Sequence, residues 1–468
     1  MLSVLPPVLA IVLAIATRRV FLSLFVGIWL GWTFLAGFDP FSGLWLAFGA
    51  CFGVLADLDN TLVITFSALV GALIAFTRYG GGVRAFVDWV TTRGKIETPR
   101  RARLLSFTLG IVIFVESSIT SLINGAVCRP IFDRFKISRE KLAYLCDSTA
   151  APVCILIPLN AWGAYVVTQL EKTGVDGAVG MLVDSMVFNF YAIGTIAFAF
   201  YIAWGARDFG PMARAEARAK KGGPATLRGG GAMLSESLMQ LECARGITPR
   251  VRTLVLPVIV MVLAMPIALM WTGGGDLLAG KGAISVFISV VAGLLVALWL
   301  TKTSTQAGMG KMGRLFVKGT VALAPLALLM VLAFAIGQTT RELGTGLYVA
   351  KLTRAYIDPS LIPALIFIVA AFIAFSTGTS WGTFGIMLPI AVPLMGQVPG
   401  LEAACVAAVL GGGVFGDHCS PISDTTMIAS LAAGSDHIDH VNTQLPYALL
   451  VALAAAGVYA LVGMAYLG

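Results

Sequence analysis

The chemically richest stretch of the chain is GDHCSPISDTT, residues 416–426. Two aspartates, a histidine, a cysteine and four hydroxyl residues stand there between the apolar runs LEAACVAAVLGGGVF and MIASLAAG. Three other clusters share this character. Residues 114–124, FVESSITSLIN, offer Glu116, Ser117, Ser118, Thr120, Ser121 and Asn124. CDSTAAPVC, 146–154, offers Asp147, Ser148 and Thr149, with Asn160 beyond it and Pro152 and Pro158 nearby. FSTGTSWG, 375–382, offers Ser376, Thr377, Thr379 and Ser380 around Gly378 and Gly382. The first stretch itself supplies Asp417, His418, Ser420, Ser423, Asp424, Thr425 and Thr426 around Pro421. Hydroxyls, carboxylates and unwound carbonyls are the oxygen set that replaces the hydration shell of a cation such as Na⁺. We expect these residues to bind an ion or substrate, with Glu116, Asp417 and Asp424 as the Na⁺ candidates.

The energetics favour a functional reading of the acids. A charged side chain at bilayer centre costs about 2.5–3.5 kcal/mol on insertion scales, so several together imply a function. Two carboxylates in one pocket tend to share a proton, and protons then compete with cations, which is the simplest chemistry of an antiporter. Pro421 lies between Asp417 and Asp424 and predicts a helix break there. Other readings stand beside this one. A serine or threonine in a membrane helix often only bonds the preceding turn. Asp147 follows Lys141 closely and can lie at the interface. His437 and His440, in GSDHIDHVNTQ, look like a metal pair but are expected in a surface loop. An intramembrane hydrolase built on Asp417, His418 and Ser420 lacks a nucleophile elbow or an HExxH pattern, so no enzyme is expected.

Elements of a particular kind must carry such groups. The chain has 468 residues, of which 58% are hydrophobic and 12% charged, and its mean hydropathy is +0.90. Soluble domains carry about 25% charged residues, so the composition specifies an integral membrane protein whose main partner is the lipid bilayer. The net charge of +8 then marks cytoplasmic loops, not a nucleic-acid partner. The seven cysteines form no CxxC pair and read as small packing residues. The apolar N-terminus reads as a retained membrane segment, not a signal peptide.

Long apolar runs occupy 3–17, 20–37, 61–77, 104–128, 142–168, 180–205, 253–271, 283–300, 319–337, 361–396, 402–434 and 445–467, with a shorter one at 44–56 placed at the interface. The basic, Gly-rich stretch 207–252 divides them near the middle. The halves rhyme: LPPVLAIVLA with LPVIVMVLA, VESSITS with FSTGTS, CDSTAAPVC with GDHCSPISD. This order is the signature of a transporter built from two repeats. The fold expected is an all-α polytopic membrane protein with about 10 transmembrane helices, two re-entrant hairpins (104–128 and 361–396) and two broken helices (142–168 and 402–434). Residues 1–206 form the first repeat, 207–252 a cytoplasmic linker and 253–468 an inverted second repeat. With both termini on the non-cytoplasmic side of the cell membrane, inside loops carry 27 of the 32 Lys and Arg. That asymmetry obeys the positive-inside rule.

Four motifs carry a family resemblance: PIFDRFKISREKLAYLCDSTAAPVCILIP (130–158), FSTGTSWGTFGIMLPI (375–390), FGDHCSPISDTTMIAS (415–430) and DHIDHVNTQLPYAL (436–449). They closely resemble the signatures of the NhaC family of Na⁺/H⁺ antiporters. The resemblance implies exchange of cytoplasmic Na⁺ for external H⁺ with no other cofactor. It also implies inverted repeats with two re-entrant hairpins, often a homodimer, and an elevator motion of a transport domain against a scaffold. One stretch departs. Where many family members read FIDDYFNSL, this chain reads FVESSITSL at 114–122, so Ser117 replaces the second acid beside Glu116. The departure bears on ion ratio and substrate. Some relatives couple Na⁺ or H⁺ to amino acids or organic acids, as in malate–lactate exchange, so a small organic solute is the alternative cargo. Its carboxylate would meet the half-helix N-termini at 117–121 and 376–380.

Overall fold

The computed structural model describes residues 2–467 except 18, 94–95, 115–116, 159, 206, 223–242, 245, 278–279, 346, 349–350, 352–356 and 422. Among the described residues the chain is helical and contains no strand. In the first half the helices are α1 (Leu5–Thr17), α2 (Val20–Leu35), α3 (Pro40–Ala56), α4 (Leu58–Tyr79), α5 (Gly82–Arg93), α6 (Pro99–Val112), α7 (Ser117–Arg134), α8 (Arg139–Leu156), α9 (Ala161–Lys172), α10 (Ala178–Met186), α11 (Phe190–Trp204) and α12 (Gly210–Lys220). In the second half they are α13 (Arg252–Thr272), α14 (Gly282–Thr305), α15 (Met309–Ala322), α16 (Ala324–Glu342), α17 (Ile362–Thr377), α18 (Ser380–Met395), α19 (Glu402–Cys419), α20 (Asp424–Ala433) and α21 (His437–Leu467).

Among the described residues four helices are long and apolar enough to cross a bilayer unbroken: α4, α13, α14 and most of α21. The pair α10 and α11, bent by 41°, adds a fifth on the same criterion. That is fewer than the expected ten or so, because polar caps and prolines cut the other runs. The run 319–337 divides between α15 and α16, where Pro325 opens the second helix. The run 44–56 begins earlier than expected, at Pro40, because Asp39 accepts hydrogen bonds from the amides of Phe41 and Ser42 and caps α3.

Both runs expected to break do so, but the first breaks elsewhere. Pro152 stays inside α8, and the helix ends at Leu156. Asn160 explains the position. Its Nδ2 donates to the carbonyls of Cys154 (2.7 Å) and Ile157 (2.8 Å), and its Oδ1 accepts from the amides of Trp162 and Gly163. One side chain therefore satisfies backbone groups on both sides of the gap. The second break falls at 420–423, around Pro421, where the hydroxyl of Ser423 caps α20 through the amide of Thr426.

α6 and α7 fall on the first run expected as a hairpin, and α17 and α18 on the second. In the second, Gly378 makes the turn between α17 and α18 at φ +66°, a left-handed conformation that favours glycine. In the first, Asn124 Nδ2 of α7 donates to the carbonyl of Ser106 on α6 at 2.9 Å and ties the arms together.

α8 and α19 are the innermost helices. α8 is buried from Glu140 to Ile155, and α19 is buried from Ala404 to Cys419 except at Phe415. α6, α7, α11, α20 and α21 pack on α8, while α17, α18, α10 and α21 pack on α19. The contacts cross over between halves: α20 lies on α7, and α9 lies on α18. α17 approaches α19 closely because a side chain at Gly412 or Gly416 would run into the backbone of Phe367 or Ala371. Outside this centre, α3, α13, α14 and α21 present Phe41, Trp45, Trp271, Trp299 and Leu453 at the surface. Such all-round apolar helices suit a lipid environment.

The stretch 207–252 is more than a linker. α12 docks on the start of α8, where Lys141 Nζ lies 2.6 Å from Asp208 Oδ2 and 3.1 Å from Glu216 Oε2. Glu216 also accepts from the amide and hydroxyl of Ser138.

Candidate functional site

Two polar clusters meet at the second break. The first is centred on Asp417, in the last turn of α19 and 1% exposed. Its Oδ2 accepts from the amide (3.2 Å) and hydroxyl (2.7 Å) of Ser380, the first residue of α18. Its Oδ1 accepts from the hydroxyl of Ser423 at 2.6 Å and that of Thr425 at 3.4 Å. The carboxylate thus faces the N-terminal ends of α18 and α20, whose dipoles favour an anion there. Ser380 Oγ lies 3.2 Å from the carbonyl of Gly413, and Ser423 Oγ lies 3.0 Å from Thr425 Oγ1. Thr379 Oγ1, at the hairpin tip, is buried and makes no hydrogen bond among the described residues. A hydroxyl that donates to a carboxylate can rotate to offer a lone pair instead. Ser380, Ser423 and Thr425 can therefore hold the empty carboxylate or help it coordinate a cation.

The second cluster is centred on Asp147, one helix away on α8. Asp147 is 1% exposed, so it is core and not interfacial. Its Oδ2 accepts from Gln444 Nε2 at 2.8 Å and lies 3.9 Å from His418 Nε2 and 3.8 Å from His440 Nε2. His418 bridges the clusters: Nε2 is 3.2 Å from Ser148 Oγ and Nδ1 is 2.9 Å from Tyr191 OH on α11. Gln444 also donates to the carbonyl of His418.

His440 corrects the sequence reading. It lies fully buried within α21, not in a surface loop, with Ser430 Oγ at 2.8 Å and Gln444 Oε1 at 2.8 Å. His437 is half-buried in the first turn of α21, and its Nε2 is 2.8 Å from the carbonyl of Pro421. α21 starts at His437 because Asp436 accepts from the amides of Ile438 and Asp439. Among the described residues no group of three or more His, Cys, Asp and Glu could hold a resident metal.

The remaining candidates separate by role. Thr149 donates to the carbonyl of Leu145 and Thr377 to that of Ile373, each on its own helix. Thr120 donates to the carbonyl of Ile113 and closes the first hairpin. Asn160 shapes the first break, Gly378 the second hairpin's turn. Ser117 and Ser420 are buried at the start of α7 and the end of α19. Ser118, Ser376 and Asp424 lie within α7, α17 and α20, with side chains outside the described set. Glu116 lies outside the described residues altogether. Gln444, His440 and Tyr191 were missed. Gln444 and His440 were visible in DHIDHVNTQ as polar residues opening an apolar run. Tyr191 gave no signal beyond one hydroxyl in an aromatic helix.

The comparisons with known proteins agree with this architecture. The model of the "Na+/H+ antiporter family" matches residues 173–464. A Haemophilus influenzae protein with no activity in its name is 37% identical over all of this chain and 91% of its own length. Shorter matches, covering 24% of this chain and 24% of each relative, join an Na⁺/H⁺ antiporter of Haemophilus influenzae (39% identical) and the malate-2H⁺/Na⁺-lactate antiporter of Bacillus subtilis (35%). The crystal structure of the Alcanivorax borkumensis YdaH transporter shares the fold, with a TM-score of 0.54 at 13% identity over 91% of this chain and 90% of that one. The chain belongs to the Na⁺/H⁺ antiporter family and is a multi-pass membrane transporter.

Proposed function

We propose that the protein is a secondary active Na⁺/H⁺ antiporter of the NhaC type in the cell membrane, with Asp417 as the carboxylate that binds Na⁺ and H⁺ in turn. One observation carries this reading: Asp417, on one side of a helix break, is buried where hydroxyls from the second hairpin and from the far side of the break converge on it. A site divided between a hairpin and a broken helix can be reshaped by small shifts of either part. Glu116 and Asp424 are the further Na⁺ candidates of this reading. The two halves then act as inverted repeats, the hairpins enter and leave on one face, and the hairpin–broken-helix unit moves against the outer helices as an elevator within a homodimer.

The test uses the full chain in proteoliposomes carrying a pH gradient. Na⁺ alone should dissipate the gradient, and Asp417→Asn should abolish the Na⁺-dependent flux while the protein stays monodisperse. Dissipation only in the presence of an organic solute favours the second reading, an Na⁺- or H⁺-coupled exchanger of a small amino acid or organic acid. The local similarity to the malate–lactate antiporter supports that alternative.

A further inference from the structure

The hydroxyl of Ser430, in the last turn of α20, lies between two imidazoles of α21, with His440 Nδ1 at 2.8 Å and His437 Nδ1 at 3.2 Å. The other nitrogen of each ring is fixed as a donor. His437 Nε2 is 2.8 Å from the carbonyl of Pro421, which can only accept. For His440 the amide of Gln444 decides. Gln444 Nε2 meets two acceptors, Asp147 Oδ2 at 2.8 Å and the carbonyl of His418, so Oε1 is the atom 2.8 Å from His440 Nε2. His440 Nε2 therefore carries a proton, and both tautomers follow from the network.

With both imidazoles neutral, two Nδ1 acceptors face one hydroxyl that has one proton. Ser430 Oγ also lies 2.7 Å from a third acceptor, the carbonyl of Thr426. However the hydroxyl turns, at least one Nδ1 lone pair meets an oxygen lone pair. One added proton removes the mismatch: one ring donates to Ser430, and Ser430 donates to the other. A serine–histidine contact that only steadies helix ends is the simpler use of such residues. It asks for one imidazole per hydroxyl, and not for two whose other nitrogens are already spent as donors.

We propose that His437, Ser430 and His440 form a proton-binding site separate from the cation site at Asp417. The proton enters at the half-buried His437. Ser430 Oγ takes the proton of His437 Nδ1 and gives its own to His440 Nδ1, so the chain gains one proton and nothing else. Asp147 of α8, 3.8 Å from His440 Nε2, supplies the counter-charge that a buried imidazolium needs. Asp436 and Asp439 beside the first turn of α21 and the carbonyl end of α20 also favour the proton. The amide end of α21 opposes it, as do Arg129 and Arg139, which lie against Gly434. His418 of α19 faces the same Asp147 oxygen at 3.9 Å. Of the other helices on α21, α17 has no titratable residue, Tyr191 of α11 bonds His418, and Asp208 ahead of α12 bonds Tyr447. Gln444 holds both Asp147 and the carbonyl of His418, the residue after Asp417. Positive charge here should therefore weaken Na⁺ binding at Asp417. That second effect rests on the antiport reading, whereas proton binding does not.

The chain has three histidines, so solid-state ¹⁵N NMR of the histidine-labelled full chain in proteoliposomes reads each ring. Between about pH 8 and 5, where imidazoles titrate, Nδ1 of His437 and of His440 should change together with one midpoint and one proton in all. Asp417→Asn should keep this uptake. Ser430→Ala should leave His437 titrating alone and abolish the change at His440. Should that variant not fold, His437→Gln, at a half-exposed position, should abolish the His440 change instead. An unprotonated His440 Nδ1 throughout in the natural chain, unrelated midpoints, loss of uptake in Asp417→Asn, or an unchanged His440 titration in the folded variants overturns the proposal. In the flux assay the Na⁺ half-saturation should rise more steeply on acidification in the natural chain than in Ser430→Ala. Equal pH dependence overturns the link to Asp417. Absence of any Na⁺-driven flux defeats the antiport reading, and the NMR titration still decides the proton site.

Discussion

Asp417 and Thr149 both stood among the expected ligand residues, Asp417 as an Na⁺ candidate, and the structure separates them by what each oxygen faces. The Ser380 hydroxyl meets the Asp417 carboxylate at 2.7 Å, whereas the Thr149 hydroxyl meets the carbonyl of Leu145 on its own helix at 2.6 Å. Ser380→Ala removes one donor to the empty carboxylate and one oxygen for the bound cation. Its Na⁺ half-saturation should rise roughly tenfold, corresponding to about 1–2 kcal/mol. Thr149→Val keeps the shape and loses only the internal bond, so half-saturation should hold. Equal behaviour of the two variants in the proteoliposome assay would remove Ser380 from the site. Much of this cluster was legible, because acids and hydroxyls in an apolar run have few structural uses. The partners of Asp147 were less so. His440 and Gln444 approach it from a helix nearly three hundred residues away. Their polar neighbours Ser435, Asp436 and Asp439 made them look like loop.

At the scale of elements, helix breaks obey the side chains that replace lost backbone bonds more than they obey prolines. Pro421 marks a break and Pro152 does not, because Ser423 and Asn160 are the residues that cap α20 and α9. A sequence shows the proline but not the acceptor that Asn160 reaches. Glycine packing is easier to read from a sequence, because small residues in a membrane helix admit close contact, and VLGGGVFG makes it. Gly412 and Gly416 let α17 settle on α19, and that contact sets where the second hairpin presents Ser380 to Asp417. Gly412→Leu forces these helices apart. Overpacking typically costs about 1–3 kcal/mol, and here it also withdraws a ligand. The expected result is a thermal unfolding temperature several degrees lower in detergent, together with a loss of Na⁺-dependent flux greater than that of Ser380→Ala. Unchanged flux in this variant would show that the hairpin is not positioned by α19.

At the scale of the whole molecule, charge decides orientation. The basic residues cluster at one set of loops, 27 of 32 under a topology with both termini outside, and the opposite loops hold only Lys172, Lys281, Arg341, Lys351 and Arg354. Basic loops are retained in the cytoplasm during insertion. The docking of α12 supports the same side for its neighbours, since Lys141, Asp208 and Glu216 form one ion cluster and must share a face. The first hairpin is bracketed by basic loops, which a single crossing would place on opposite faces. Exposed positions make this testable one residue at a time. In a variant lacking the native cysteines, Lys281→Cys should react with a membrane-impermeant maleimide in intact cells. Lys220→Cys and Lys318→Cys should react only after the membrane is opened. The contrast should be nearly all-or-none, since an inverted loop would carry several positive charges to the wrong side, each opposed by the insertion bias. Labelling of position 220 from outside would reverse the assigned orientation. Labelling of 220 and 318 from opposite sides would overturn the proposed topology, because two crossings, α13 and α14, then cannot separate the linker from the 302–318 loop.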